Sequence, residues 1–243
     1  MVETSIRFRV MLEPRGFIKV IEFVLAIVAF GTTGGYNSQM ELSLKCTGAE
    51  EVKIFHLPVS YPFNFESEEV TVWTCNKTSY VPVKTTLEGD FSPTSQWFMF
   101  VGVMAFLICL AGVVFYVAFE TNIRAKNENL VTVGDLAVTV LWTFLWLTAA
   151  ASWAWGVNQV KAYGGKAISQ APMKDECAEN QCSYLSDPDY GPLNASVAFA
   201  FLSVLVWAGN VWFVYKETPY HDDQATLTPN EGVPSQEVPS NQN

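Results

Sequence analysis

The chain has 243 residues, half of them hydrophobic and 14% aromatic, with 14 Lys and Arg against 24 Asp and Glu. The charges are unevenly placed: the windows 18–36, 97–119, 136–157 and 195–215 hold only Lys19 and Glu22. A soluble helix rarely runs about 20 residues without a charge, because one of its faces must meet water. This pattern argues against a soluble enzyme and a secreted disulfide scaffold, and a net charge of −10 argues against a nucleic-acid binder.

The first window, 18–36, carries Lys19 and Glu22 in its first turn. Three residues apart on a helix, they can pair while Lys19 snorkels to the headgroups. The segment before it contains Glu3, Glu13 and Pro14. That is an unusual leader for a cleaved signal peptide, so a retained anchor is the favoured reading. Region 37–96 is rich in β-branched and aromatic residues over Glu51–Phe55, Glu69–Trp73 and Tyr80–Lys84, with Pro58, Pro62 and Pro82 suited to edges or turns. The windows 97–119, 136–157 and 195–215 are uncharged and long enough for a bilayer core of about 30 Å. A polar loop, 120–135, separates the second from the third, and 158–194 the third from the fourth. The tail, 216–243, has one Lys, five acidic residues and four Pro, and is expected to be disordered.

Orientation follows from the basic residues near the span ends. Arg7, Arg9, Arg15, Lys19, Arg124, Lys126 and Lys216 lie on one side, against Lys45, Lys84, Lys161 and Lys166 on the other. The expectation is that residues 1–17, loop 120–135 and the tail are cytosolic, and that loops 37–96 and 158–194 are lumenal. Four of the five cysteines fall two per lumenal loop, Cys46 and Cys75, then Cys177 and Cys182. Disulfides persist in that compartment, and local pairing is favoured among the three possible connectivities. A metal site across the loops lacks a His near the second pair. Both sequons, at Asn76 and Asn194, are on the same side. Asn76 is the credible glycan acceptor, because Asn194 abuts the fourth span. The fold class expected is an all-α, four-span bundle, 18–215, under a small β-rich cap braced by disulfides.

Catalytic signatures are missing. His56 and His221 fall on opposite sides of the membrane, and the sequence has no phosphate loop, nucleophile elbow or paired intramembrane carboxylates. Past the first turn of span one, the spans carry no ionisable group except Cys109 and Tyr, where a proton-coupled transporter generally needs more. Cys109 reads as a small packing residue. The pairs Gly31 with Gly35, Ala150 with Ala154, and Ser152 with Gly156 let helices approach closely, within the bundle or between copies. Asn210 needs a hydrogen-bond partner inside hydrocarbon, and an intramolecular one is favoured over a pore or substrate role. Trp97, Trp153, Trp155 and Trp212 sit where interfacial anchors do. Val160, Tyr163 and Lys166 fit a loose cholesterol pattern, and Arg15, Phe17 and Val20 its reverse, both frequent by chance.

Several stretches together resemble the synaptophysin family, built on the MARVEL four-helix module. Glu13-Pro14-Arg15-Gly16-Phe17-Ile18-Lys19-Val20 is similar to its E-P-x-G-F-x-K-V entry to span one, and Gly34-Gly35-Tyr36 closes that span. Tyr61-Pro62-Phe63 and Gly89-Asp90-Phe91-Ser92 resemble its Y-P-F and G-D-Y-S elements, and Ser152-Trp153-Ala154-Trp155-Gly156 its S-A-W-A-K-G. The best match is Leu193–Val197 followed by Trp207–Thr218. The tail differs: it is short and acidic, with only Tyr220 where synaptophysin has Tyr-rich repeats. The resemblance implies a synaptic- or transport-vesicle membrane protein that forms homo-oligomers, binds cholesterol, and partners synaptobrevin and the vesicular proton pump. No enzymatic cofactor is implied. An oligomeric vesicle pore is the alternative reading. A junctional four-span protein fits less well, because the cysteine signatures of claudins, tetraspanins and connexins are absent.

Overall fold

The computed structural model describes residues 14–118, 120–164 and 173–221. The N-terminal Arg7 and Arg9, Lys166 and residues 222–243 of the tail lie outside them. Residues 216–221, expected to be disordered with the rest of the tail, instead continue from α5 as a turn and a short helical stretch with Thr218 buried. Helix α1 (Pro14–Gly34) leads into strands β1 (Asn37–Lys45), β2 (Lys53–Ser60), β3 (Glu69–Asn76) and β4 (Ser79–Thr86). Helices α2 (Ser92–Ala118) and α3 (Glu120–Gly164) follow, then α4 (Met173–Glu179), β5 (Gln181–Ser186) and α5 (Gly191–Tyr215). The four long helices α1, α2, α3 and α5 are each long and apolar enough to cross a membrane. The sheets form a cap on one end of this bundle, while the start of α1, the α2–α3 junction and the close of α5 lie at the other.

Helix boundaries depart from the apolar windows for a physical reason. Hydropathy marks where a helix is in lipid, whereas helix formation needs only favourable backbone and side-chain propensities. Segment 120–135 contains no Pro, so the expected polar loop is helical from Glu120. Helix α3 reaches 45 residues, about 68 Å at 1.5 Å per residue. At the cap end, Asp90 Oδ1 accepts from the Ser92 N–H at 2.9 Å and Asp189 Oδ1 from the Gly191 N–H at 2.9 Å, so α2 and α5 start before their uncharged windows.

The cap joins both loops into one unit. Strand β1 pairs antiparallel with β2 on one edge and β5 on the other, so a strand from the second loop completes a sheet begun in the first. This cross-loop pairing has no local sequence signal, because β5 is short and its register is set only by β1. The β3–β4 hairpin forms the second sheet, and Cys46–Cys75 fastens it to the end of β1. Cys177–Cys182 ties α4 to β5. Glu176 Oε2 accepts the Cys75 N–H at 2.9 Å and Asn180 Oδ1 the Thr47 N–H at 2.9 Å, which docks α4 onto both sheets.

Cap and bundle share a core. Phe63 of the Tyr61-Pro62-Phe63 stretch is fully buried, with its ring centroid 5.4 Å from Trp153 of α3 and 5.7 Å from Tyr36. Its φ of +66° is rare for a bulky residue, and the packing around it holds that conformation. Phe65 stacks on Tyr163 of α3 at 4.5 Å. Val160 and Tyr163 are thereby buried against protein rather than presented to sterol.

Cys46→Ser is expected to weaken the cap by about 2–4 kcal/mol, the usual range for a lost disulfide. Limited proteolysis should then cleave 37–91 sooner than in the parent protein, with the four helices intact.

Candidate functional site in the bundle

Every third or fourth residue of α5 is buried: Leu193, Ser196, Ala200, Ser203, Trp207, Asn210 and Val214. The opposite residues of all four helices are exposed and apolar, among them Val24, Phe100, Leu107, Phe144, Leu205 and Phe213. The bundle thus presents an apolar exterior to lipid or to other helices, around an interior filled by Trp146, Trp153 and Trp207. Trp153 is wholly buried and donates its indole N–H to Ser196 Oγ at 2.8 Å, so it ties α3 to α5 and is no interfacial anchor. Trp155 and Trp212 are more than half exposed, as anchors are.

The first span differs most from the sequence expectation. Lys19 and Glu22 do pair, with Nζ 3.0 Å from Oε2, but Lys19 is 3% exposed and Glu22 1%. Lys19 does not snorkel to the surface; its ammonium lies 4.5 Å from the centroid of the Trp207 ring on α5. Glu22 Oε1 accepts from Asn210 Nδ2 of α5 at 2.9 Å, and Glu22 Oε2 from the Cys109 thiol of α2 at 3.6 Å. Asn210 has an intramolecular partner on another helix, and Cys109 touches a charge rather than only packing. In the sequence Lys19 and Glu22 open the apolar window, a position that reads as the water boundary. The signal available was Asn210, which needs a polar partner at the same depth.

The small-residue pairs divide. Gly156 lets α3 meet α2: a Cβ there would clash with Thr94 Oγ1 and stand 3.2 Å from the Trp153 ring. Ala150 is buried, whereas Ser152 and Ala154 are half-buried. Gly31 and Gly35 face outward, and a Cβ on Gly31 would meet nothing within 4 Å. The close α1–α2 approach is made instead at Gly102, where a Cβ would lie 3.1 Å from Phe30 Cβ. A groove of about 510 Å³ runs between α2 and α3, lined by Gly112, Phe115, Leu130, Gly134, Asp135 and Val138 among others.

On the cap, Asn76 and its Thr78 are exposed at the tip of the β3–β4 hairpin. Asn194 instead accepts a hydrogen bond from Lys161 Nζ. Burial, with nearby Tyr36 and Asp187, pushes the Tyr190 phenol up to about 12. Among the described residues, no group of three or more His, Cys, Asp or Glu is arranged to hold a metal ion.

These features define an integral multi-pass membrane protein: a four-helix bundle with a disulfide-braced cap. The family model MARVEL, membrane-associating domain, matches residues 10–213, and the chain belongs to that family. It is similar to synaptogyrin-1 of Homo sapiens, 26% identical over 144 residues, which are 56% of this chain and 51% of that protein. Synaptogyrin-1 of Pongo abelii matches at the same identity over 56% of this chain and 50% of its own length. The chain spans about half the length of these curated relatives. They stand beside the synaptophysin-like motifs in the same MARVEL class.

Gly156→Leu is expected to force α2 from α3 at a cost of about 1–3 kcal/mol, the range for overpacking a filled interior. A lower aggregation temperature in mild detergent, with the cap disulfides still formed, is the measurement.

Proposed function

We propose that this protein is a non-enzymatic organiser of vesicle membranes, with both termini cytosolic and the cap in the lumen. The observation that carries the reading is the closed, aromatic-filled bundle with apolar exteriors on all four spans, which offers helix faces and no described catalytic constellation. A surface of this kind acts through what packs against it: lipid, a second copy, or the single span of a partner. The similarity to synaptogyrin-1 supports a vesicle setting. The synaptophysin-like motifs support synaptobrevin, the vesicular proton pump and cholesterol as partners, and self-association into homo-oligomers. Trafficking and recycling of vesicles would follow from gathering those partners in one membrane.

The exposed hairpin tip supports Asn76 as the glycan acceptor and with it the lumenal cap. Asn76→Gln is expected to abolish the endoglycosidase-sensitive gel shift, and a shift that persists would assign the glycan to Asn194. Chemical crosslinking on native vesicles in mild detergent should capture synaptobrevin together with self-adducts. Self-adducts that conduct ions in planar bilayers, with no synaptobrevin captured, would replace the organiser by an oligomeric pore.

A further inference from the structure

The Lys19–Glu22 pair sits at a depth where ionisable groups are costly. Glu22 lies about 9 Å along α1 from Gly16, the first residue of its apolar span, at 1.5 Å per residue. A charge at membrane depth persists only when it is paired and its remaining hydrogen-bonding capacity is met by protein. Here the capacity of Glu22 is met from three helices. Lys19 supplies the counter-charge from the same helix, Cys109 a thiol from α2, and Asn210 an amide from α5, 188 residues downstream. Trp207, one turn from Asn210, adds its ring face to the ammonium.

We propose that Lys19, Glu22, Cys109 and Asn210 form an assembly lock. Helix α1 carries the ion pair into the membrane as a unit without net charge, and only the arrival of α2 and α5 completes its hydrogen bonds. The lock therefore specifies one rotational setting of α1. A rotation of one residue, about 100°, turns Glu22 away from Cys109 and Asn210 and toward lipid. Apolar packing alone discriminates such settings poorly, because lipid and side chains are equally apolar. Buried ionic groups contribute little net stability but oppose alternatives that leave them unpaired. Among the described residues the lock also differs from other interhelical ties. The Lys161–Asn194 bond carries one charge at the exposed cap end. The Trp153–Ser196 bond joins neutral groups, and the Gly102–Phe30 and Gly156–Thr94 approaches are steric.

The test uses the full chain in native membranes and mild detergent, with Phe30→Cys and Gly102→Cys introduced together. A Cβ on Gly102 stands 3.1 Å from Phe30 Cβ, and the helices need give by only a few tenths of an ångström to reach the disulfide range. Oxidation should then cross-link α1 to α2 only in the native setting. Adding Glu22→Gln or Lys19→Met alone strands one charge. Each should cut the cross-link yield by about threefold or more and lower the thermal midpoint by about 10 °C. Asn210→Leu should lower the midpoint less, because the charges remain paired. The neutral combination Lys19→Met with Glu22→Met removes both charges and should recover most of the lost midpoint. That combination keeps the test decisive even where a single variant fails to fold. Two results would overturn the lock: single variants equal to the parent in both readouts, or a neutral combination worse than either single variant. The second would mean that the two side chains merely fill space.

Discussion

Hydrocarbon offers no hydrogen bonds, and that constraint organises this molecule. Charged and strongly polar groups drawn into the bundle are stable only with a partner inside the protein, a demand that the weaker indole donors of Trp142, Trp146 and Trp207 do not meet. Glu22 finds three, on its own helix, on α2 and on α5, and Trp153 finds Ser196 across the α3–α5 seam. Water-facing proteins can leave such groups to solvent and let apolar burial decide the packing. In a bilayer the apolar faces have nearly the same environment whether or not helices meet, so the few polar contacts and the shape of the aromatic interior acquire unusual weight.

The cap supplies the second level of order. It is no separate domain resting on the bundle, since Phe63 and Phe65 continue into Trp153 and Tyr163 of α3. Strands β1 and β5 come from different loops and lie more than 130 residues apart in the chain, yet β5 completes the sheet begun by β1 and β2. Two disulfides and the carboxylate of Glu176 then hold the hairpin, the sheet and α4 together. Such a cap fixes how the ends of four helices are spaced. The helices themselves are left free to present apolar faces outward, which is what the proposed organiser role requires.

Much of the architecture was legible in the chain. Four uncharged windows in a sequence otherwise dense in charge identify four spans, because a bilayer tolerates little else. Two cysteines per loop identify the bracing, and the β-branched runs identify β2, β3 and β4. The short motifs around Pro14, Phe63 and Asn210 pointed to the MARVEL class before any fold was drawn. Helix lengths were less legible, since α3 runs far beyond its apolar window through a polar segment rich in Asn, Thr and Val, whose intrinsic preference for helix is weak.

The amino-acid sequence by itself determined the class, the spans and the covalent frame, because these depend on local composition and on which residues can survive in lipid. Tertiary structure alone decided which residues meet. Lys19 reads as a snorkelling end residue and Trp153 as an anchor, yet both face inward, because the orientation of a helix about its axis depends on its neighbours. Gly31 reads as a packing residue and faces out, while Gly102, outside any small-residue pair, carries the close approach. A span's identity is a sum over its residues. Its orientation is a choice among nearly equal apolar faces, and contacts from distant parts of the chain make that choice.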